Sequence, residues 1–466
     1  MDAVILDVET WAECEFGRCE LGDRRRNKRM VHYARQAAAR PDSGTPDQAE
    51  TWGDLQAVYR LFDCDDVEPQ AILAPHCQHT RESCRPGDVK LIINDTTELN
   101  FTSHKAARGL GSVGGGGQQR GFHVHSGLML DAVTEEIDGL AGQEFFHRPF
   151  PGKKRGAKNT RRRDPNRESA IWGKLIDRIG PPPTNVKWLH VCDRGADDYE
   201  VMLRALNQSC GFVIRAAKLN RKVLTLEGVE QTLDELLGSL SSQDVRNIAV
   251  RATEKQPART ARCELRFGEI LLPKPRVINA WIREHLPAEP LRLSVVELRE
   301  VNPPKGAQPI RWVLYTTEIV STIQDANRVI HYYELRWTIE DFHKCYKTGS
   351  AIESRAYETS ERLERVAAFS SVIAVRLLRM RTAAKKTPDR PATEVAPQSW
   401  ITVLKIIRRI PAAKELTIRE FVRALAGLGG HVGRKCDGEP GWITLWRGHE
   451  KLQLMLRGYQ AAKKCV

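Results

Sequence analysis

The succession of short apolar runs between residues 88 and 217 constrains this chain most. "DVKLIIND" (88–95) is brief, apolar and β-branched, and it reads as a strand ending in Asp95. "FHVHSGLMLDAV" (122–133) reads as the strand returning beside it in a hairpin. Its alternating His123 and His125 read as structural. Between the two runs, "GLGSVGGGGQQRG" (109–121) reads as a flexible connection. It lacks the lysine of a phosphate-binding loop and has no strand directly before it. "AIWGKLIDRI" (170–179) then reads as a helix, and "NVKWLHVCDRGADD" (185–198) as a strand running into Asp193. "YEVMLRAL" (199–206) reads as a helix and "GFVIRAA" (211–217) as a strand. Hairpin, helix, strand, helix, strand is the order of an α/β core. From about 220 to 320 the chain turns β-rich, as an inserted sheet would. The residues before about 75 and those after a proline-rich break at 388–397 read as mostly helical.

A length of 466 residues allows two or three domains. The net charge of +13 favours a polyanionic partner, most often nucleic acid. No apolar run approaches the roughly 18–20 residues of a membrane span, and the N-terminal stretch does not read as a signal peptide. Eleven cysteines without a CxxC pair suit reduced thiols in a cytoplasmic protein. "PHCQHTRESC" (75–84) fits no standard zinc module. Arg24, Arg25, Arg26, Lys28 and Arg29 crowd the start of a helix, where cations oppose the helix dipole. Phosphate contact would explain them, and so would a solvated basic face.

"YYELRWTIEDFHKCYKTG" (332–349) reads as one helix. At 100° per residue, Tyr333, Arg336, Glu340, Lys344 and Lys347 fall on one stripe, and Leu335, Ile339, Phe342 and Tyr346 on the other side. The apolar stripe belongs against a core. The charged one is either a surface salt-bridge ladder or a carboxylate flanked by cations that grip an anion. Asp95 and Asp193 weigh toward the second reading. Each closes an expected strand, at the edge where α/β sites assemble. Strand-end aspartates also cap helices. Three converging carboxylates repel one another unless divalent cations lie between them, and oxygen donors suit Mg²⁺ or Mn²⁺. Two such ions support in-line phosphoryl displacement.

The spacing Y-x2-R-x3-E-x6-K, present as Tyr333, Arg336, Glu340 and Lys347, occurs with "INDTTEL" around Asp95 and "VCDRGAD" around Asp193. Together they resemble the signature of DDE transposases of the insertion-sequence-four family. The likeness spans nearly the whole chain, from "FGRCELGDRRRNKR" to "LWRGHEKLQLMLRGYQAAK". It implies an RNase H-like catalytic core with a β-rich insertion. A helical N-terminal DNA-binding domain and a mostly helical C-terminal dimerisation domain flank the core. The implied domains are 1–75, 76–375 (insertion about 220–320) and 376–466. Asp95, Asp193 and Glu340 fall on the catalytic metal ligands, for two Mg²⁺ ions per active site, with Mn²⁺ able to substitute. Tyr333, Arg336, Lys344, Lys347, Arg215 and His343 fall on DNA contacts. Trp312 falls on an aromatic that stacks on a flipped base, and Trp337 on its neighbouring wedge. Arg25, Arg26 and Arg29 fall on DNA-contacting positions of the N-terminal domain. The implied activity is cut-and-paste transposition on double-stranded DNA, meaning transposon ends and target. It proceeds by nicking, hairpin formation and opening, then strand transfer, by a homodimer in a synaptic complex. The implied setting is the bacterial cytoplasm, with the protein at the nucleoid when bound to DNA. The basic run at 153–163 has no counterpart role and reads as a phosphate-binding loop.

Two other readings stand beside this one. A metal-dependent nuclease or resolvase of the same fold would share the three carboxylates. A DNA-binding transposition inhibitor would not need them.

Overall fold

A computed structural model describes residues 7–151, 164, 167–250, 257–434 and 437–464. The basic run at 153–163 lies outside them.

The chain opens with helices α1 (Val8–Phe16), α2 (Arg24–Ala39), α3 (Thr45–Gln48), α4 (Trp52–Asp63) and α5 (Pro69–Glu82). Side-chain caps fix several starts. Asp7 accepts from Glu9 N and Thr10 N at 2.9 and 3.0 Å. Asp23 accepts from Arg25 N at 2.7 Å. An acidic N-cap satisfies free N–H groups, and at α2 it also offsets the arginines that follow. Phe16, Tyr33 and Phe62 close around Phe369 with ring centroids 5.2, 4.9 and 5.9 Å away. Phe369 belongs to a long helix further along, so these helices are seated on the rest of the protein. "PHCQHTRESC" lies on and just beyond α5. His76 meets the buried Glu15 carboxylate at 2.6 Å through Nδ1, and its Nε2 accepts from Leu140 N at 3.0 Å. Both ring nitrogens are used in joining helix to sheet.

Among the described residues, twelve strands form one sheet. Its first five run β1 (Val89–Asn100), β2 (Gly111–Val113), β3 (Gln119–Asp131), β4 (Ile137–Phe146) and β5 (Lys187–Cys192), followed by β6 (Gly211–Arg215). β1 is central. It pairs antiparallel with β3, which pairs antiparallel with β4, and parallel with β5, which pairs parallel with β6. The spatial order β4-β3-β1-β5-β6, with a meander on one side and parallel strands on the other, is the RNase H-like arrangement. Helix α6 (Ala170–Ile179) and helix α7 (Tyr199–Asn207) precede and follow β5.

Two local expectations are corrected, and one strand has no counterpart among them. The first strand does not stop at Asp95. Its pairing with β5 ends at Asn94↔Cys192, but pairing with β3 continues to Asn100↔Gly121. The glycine-rich connection is not a free loop. Gly111–Val113 pair with Gln119–Gly121, and Gly114 and Gly117 turn the corner at φ +76° and +67°, where a side chain would be strained. β4 went unrecognised altogether, because two glycines and three polar residues dilute its alternation.

The β-rich segment extends the same sheet. β12 (Arg311–Thr316) pairs antiparallel with β6, placing Leu314 beside Arg215, and β11 (Leu291–Glu300) and β10 (Arg259–Leu272) follow outward. The short β7 (Lys222–Leu224), β8 (Glu230–Thr232) and β9 (Asp244–Val250) complete it, with helices α8 (Leu233–Ser239) and α9 (Ala280–His285) on the connections.

Three helices come next: α10 (Ile323–Glu334), α11 (Trp337–Lys344) and the 27-residue α12 (Ser360–Lys386) that carries Phe369. The chain ends in α13 (Gln398–Ile407), α14 (Ile418–Leu428) and α15 (Trp442–Lys464). The last two cross at backbone distance. A Cβ on Gly448 would lie 2.0 Å from Leu425 O, and one on Gly429 1.9 Å from Thr444 O. Neither backbone can yield. Gly448→Ala is therefore expected to cost about 3 kcal/mol, far above the roughly 1 kcal/mol that alanine gains in helix propensity. Urea unfolding measures it, and a variant as stable as the parent would refute this crossing.

Candidate active site

Parallel pairing sets the site. Because Asn94 and Cys192 are partners, the next residues, Asp95 within β1 and Asp193 just past the end of β5, stand at the same level. Asp193 Oδ1 accepts from Gly195 N at 2.7 Å, capping the short turn Arg194–Ala196. The capping role anticipated for strand-end aspartates is therefore real, and the residue also lines the cleft described next.

The helix expected over 332–349 is interrupted. α10 ends at Glu334, and the hydrogen bonds at the junction tighten to i−3, with Arg336 N to Tyr333 O at 3.1 Å and Thr338 N to Leu335 O at 2.9 Å. α11 then carries Glu340 and His343 and opens into a wide π turn over Cys345–Gly349. The apolar side behaves as its spacing requires, with Leu335, Ile339, Phe342 and Tyr346 all buried. The charged stripe splits. Arg336, Glu340, Lys344 and Lys347 line one open cleft of about 480 Å³ together with Asp95 and Asp193. Tyr333 turns away from it into the interior at 4% exposure.

Arg336 straddles two carboxylates, with Nη1 3.1 Å from Asp95 Oδ2 and 3.5 Å from Glu340 Oε1. Asp95 Oδ1 also accepts from Thr96 N at 2.7 Å. One oxygen each of Asp95 and Glu340 and one ring nitrogen of His343 all lie within 4.8 Å of one another. Burial pushes the Asp95 carboxyl up to about 7. Arg336 and the Thr96 N–H pull it down, and the Asp193 and Glu340 charges add to the rise. One guanidinium does not balance these carboxylates, so the donor set fits divalent cations.

A raised folded-state value has a defined consequence for the metal-free protein. The contribution of Asp95 to stability is complete below its ordinary value of 3.8 and is lost as pH rises through about 7. Asp95→Asn keeps the shape without the charge. With metals chelated, the variant should melt above the parent at pH 8 and lose that advantage at pH 4. Calorimetry showing the same difference at both pH values would contradict this.

The remaining residues singled out in the sequence fall into separate groups. Arg215, Trp312 and Tyr333 form a second cluster. Trp312 meets Tyr333 edge-on at 5.3 Å, and Arg215 Nη1 lies 3.5 Å from the Tyr333 hydroxyl. Trp337 stands 52% exposed, with the Arg336 guanidinium 5.4 Å from its ring. His343 is buried, and its imidazole is pushed down to about 3 by burial, with Lys347 and Arg336 adding. On the N-terminal helices, Arg25 is exposed. Arg26 and Arg29 are held by Asp66 at 2.9 Å and Asp54 at 2.7 Å. Sequence reasoning missed Glu98. It is a fourth carboxylate lining the cleft, fixed by Gly114 N at 2.9 Å and His123 Nε2 at 3.3 Å. Its cross-strand pairing with His123 shows only once the register is known.

No helix among the described residues is long and apolar enough to cross a membrane. Three family models match the chain. Residues 8–67 match the transposase DNA-binding model, 166–375 the transposase DDE domain, and 372–465 the transposase Tn5 dimerisation domain. Asp193 and Glu340 lie inside the middle match, and Asp95 precedes it.

Proposed function

This chain belongs to the Tn5-like DDE transposases, and from that premise we propose that it performs cut-and-paste transposition of an element bounded by inverted repeats. The family makes it a DNA-binding, dimer-forming, metal-dependent enzyme that cleaves and transfers DNA. The observation that carries the finer reading is the cleft that Asp95, Asp193 and Glu340 line together with Arg336, Lys344 and Lys347.

In this reading Asp95, Asp193 and Glu340 would hold two Mg²⁺ ions, or Mn²⁺ in their place, which would supply Lewis-acid activation of the attacking oxygen and charge stabilisation at the leaving one. Lys344 and Lys347 grip the phosphates of the strand being cut. Arg336 partly offsets the charges of Asp95 and Glu340. Water first attacks the scissile phosphate and releases a 3′-OH. That hydroxyl attacks a phosphodiester of the opposite strand, closing a hairpin and displacing the flanking strand's 3′-oxygen. A second water opens the hairpin and restores the 3′-OH, which then attacks a target phosphodiester and displaces the target strand's 3′-oxygen. Hairpin closure needs a sharply bent strand, and unstacking a base costs a few kcal/mol. Trp312 receives the flipped base, Trp337 wedges beside it, and Arg215 with Tyr333 braces the pocket. Arg25 contacts end DNA directly, with Arg26 and Arg29 behind it. The division of labour follows residues 1–75, 76–375 and 376–466. Each protomer of a synaptic dimer binds one end and cleaves the other. The work takes place at the bacterial nucleoid.

The test is a time course on a labelled duplex ending in the inverted repeat that flanks the gene, with Mg²⁺ and a target plasmid, resolved on a denaturing gel. A nick, then a hairpin, then a blunt end, then plasmid-joined product is expected. Nicks without hairpin or joining would leave a nuclease, and binding without cleavage would leave an inhibitor. Stacking on Trp312 is worth roughly 1–3 kcal/mol. Trp312→Ala should therefore slow hairpin closure about tenfold or more while nicking persists. Equal loss of both steps would remove Trp312 from that role.

A further inference from the structure

His343 has no place in the proposed chemistry so far, and the structure puts it in an unusual position for a spare side chain. It sits three residues after Glu340 on α11, hence on the same helix face. It is only 6% exposed, yet it lines the cleft beside Asp95 and Glu340. Its Nε2 is buried without a hydrogen-bond partner. A buried polar atom left unpaired is costly. The buried rings of His125 and His190 also keep an unpaired Nε2, with Nδ1 bonded to Thr96 and Asn94. What sets His343 apart is that carboxylate oxygens of Asp95 and Glu340 lie within 4.8 Å of one of its ring nitrogens. That spacing suits three donors arranged around an ion, each about 2 Å from its centre.

We propose that His343 is a nitrogen ligand at the metal position shared by Asp95 and Glu340. The inference rests on the reading above that these two carboxylates hold a divalent ion. It changes what that position selects. A site of carboxylates alone favours hard ions such as Mg²⁺, whereas an imidazole favours first-row transition ions. The position therefore discriminates for Mn²⁺ and Co²⁺ over Mg²⁺ more strongly than oxygen donors alone would. It also makes the two ion positions unequal, with one, beside Asp193, lacking nitrogen. Helix α11 delivers two ligands one turn apart, so the junction at Leu335–Arg336 that aims this helix sets the geometry of both.

The experiment uses the full chain loaded with Mn²⁺ alone, without DNA, and reads electron spin echo modulation from directly coupled ¹⁴N. Calorimetry measures Mn²⁺ and Mg²⁺ affinities in parallel. The wild type should show nitrogen coupling. His343→Gln should abolish it and weaken Mn²⁺ binding about tenfold while weakening Mg²⁺ less than about threefold. His125→Gln, which removes a neighbouring buried imidazole, should leave the coupling in place. Mn²⁺ that Glu340→Gln displaces, yet shows no nitrogen coupling in the wild type, would overturn the role of His343 and leave the carboxylate site standing. Mn²⁺ binding indifferent to Glu340→Gln would overturn the carboxylate reading and this inference with it. The wild-type spectrum decides the matter even where a variant fails to fold.

Discussion

Asp193→Asn and Glu340→Gln are each expected to lower single-turnover DNA cleavage by on the order of 10³-fold or more, with end binding changed less than about threefold. Both substitutions keep the side-chain shape and remove one negative charge from the cleft. Neither should disturb the fold. The capping bond of Asp193 to Gly195 N survives in asparagine, which caps equally well. The Glu340 side chain is 40% exposed and bonded only by Arg336 among its described ion pairs. The loss therefore belongs to the chemical step. A gel-shift assay beside the cleavage assay separates the two quantities. Cleavage within tenfold of wild type in either variant would remove that residue from the proposed metal set.

The second large effect concerns stability, and it ties the catalytic segment to the dimerisation domain. Trp446 on α15 is 1% exposed. Its indole lies where a Cβ on Gly349 would sit, with Nε1 only 2.0 Å away. Gly349 ends the π turn that follows α11. Only a residue without a side chain admits the ring so close to the backbone. Trp446→Ala should cost about 3–5 kcal/mol through the cavity it leaves. Gly349→Ala should cost about 1–3 kcal/mol or more, because a ring held on all sides cannot withdraw. Together they should cost clearly less than the sum, since the new methyl occupies space the indole vacates and meets no clash. Urea unfolding of the two single variants and the double variant measures this coupling. Strict additivity would mean that the two residues do not compete for the same space.

How much of this was legible in the residues depended on whether local chemistry or distant pairing decided each feature. The apolar runs around Ile92, Val191 and Val213 announced strands because their burial on both faces of a sheet demands β-branched residues. The order of hairpin, helix, strand, helix, strand then left little choice of core. Asp95 and Asp193 were readable as site residues because they close those runs. Yet the first strand goes on past Asp95, held by β3 rather than β5, and one sequence does not reveal which partner lasts longer. β4 and the glycine hairpin were lost for a related reason, since a strand gains its pairing from neighbours and not from its own composition. The charged stripe was legible up to Tyr333. The tightened turn at Leu335–Arg336 moves Tyr333 off that stripe, and no breaker residue marks the place. Glu98 and the burial of His343 were invisible because both depend on cross-strand or helix-to-sheet contacts.

In the proposed function, the carboxylates of this cleft act through divalent ions in direct contact with the scissile phosphate. The most direct test substitutes sulfur for each non-bridging oxygen of that phosphate in turn and compares Mg²⁺ with Mn²⁺. Mg²⁺ binds sulfur poorly, while Mn²⁺ accepts softer donors. For at least one of the two sulfur isomers, cleavage should collapse in Mg²⁺ and return in Mn²⁺. Both sulfur isomers cleaving as fast as the oxygen substrate in Mg²⁺, or failing equally in both metals, would contradict direct metal contact at this site.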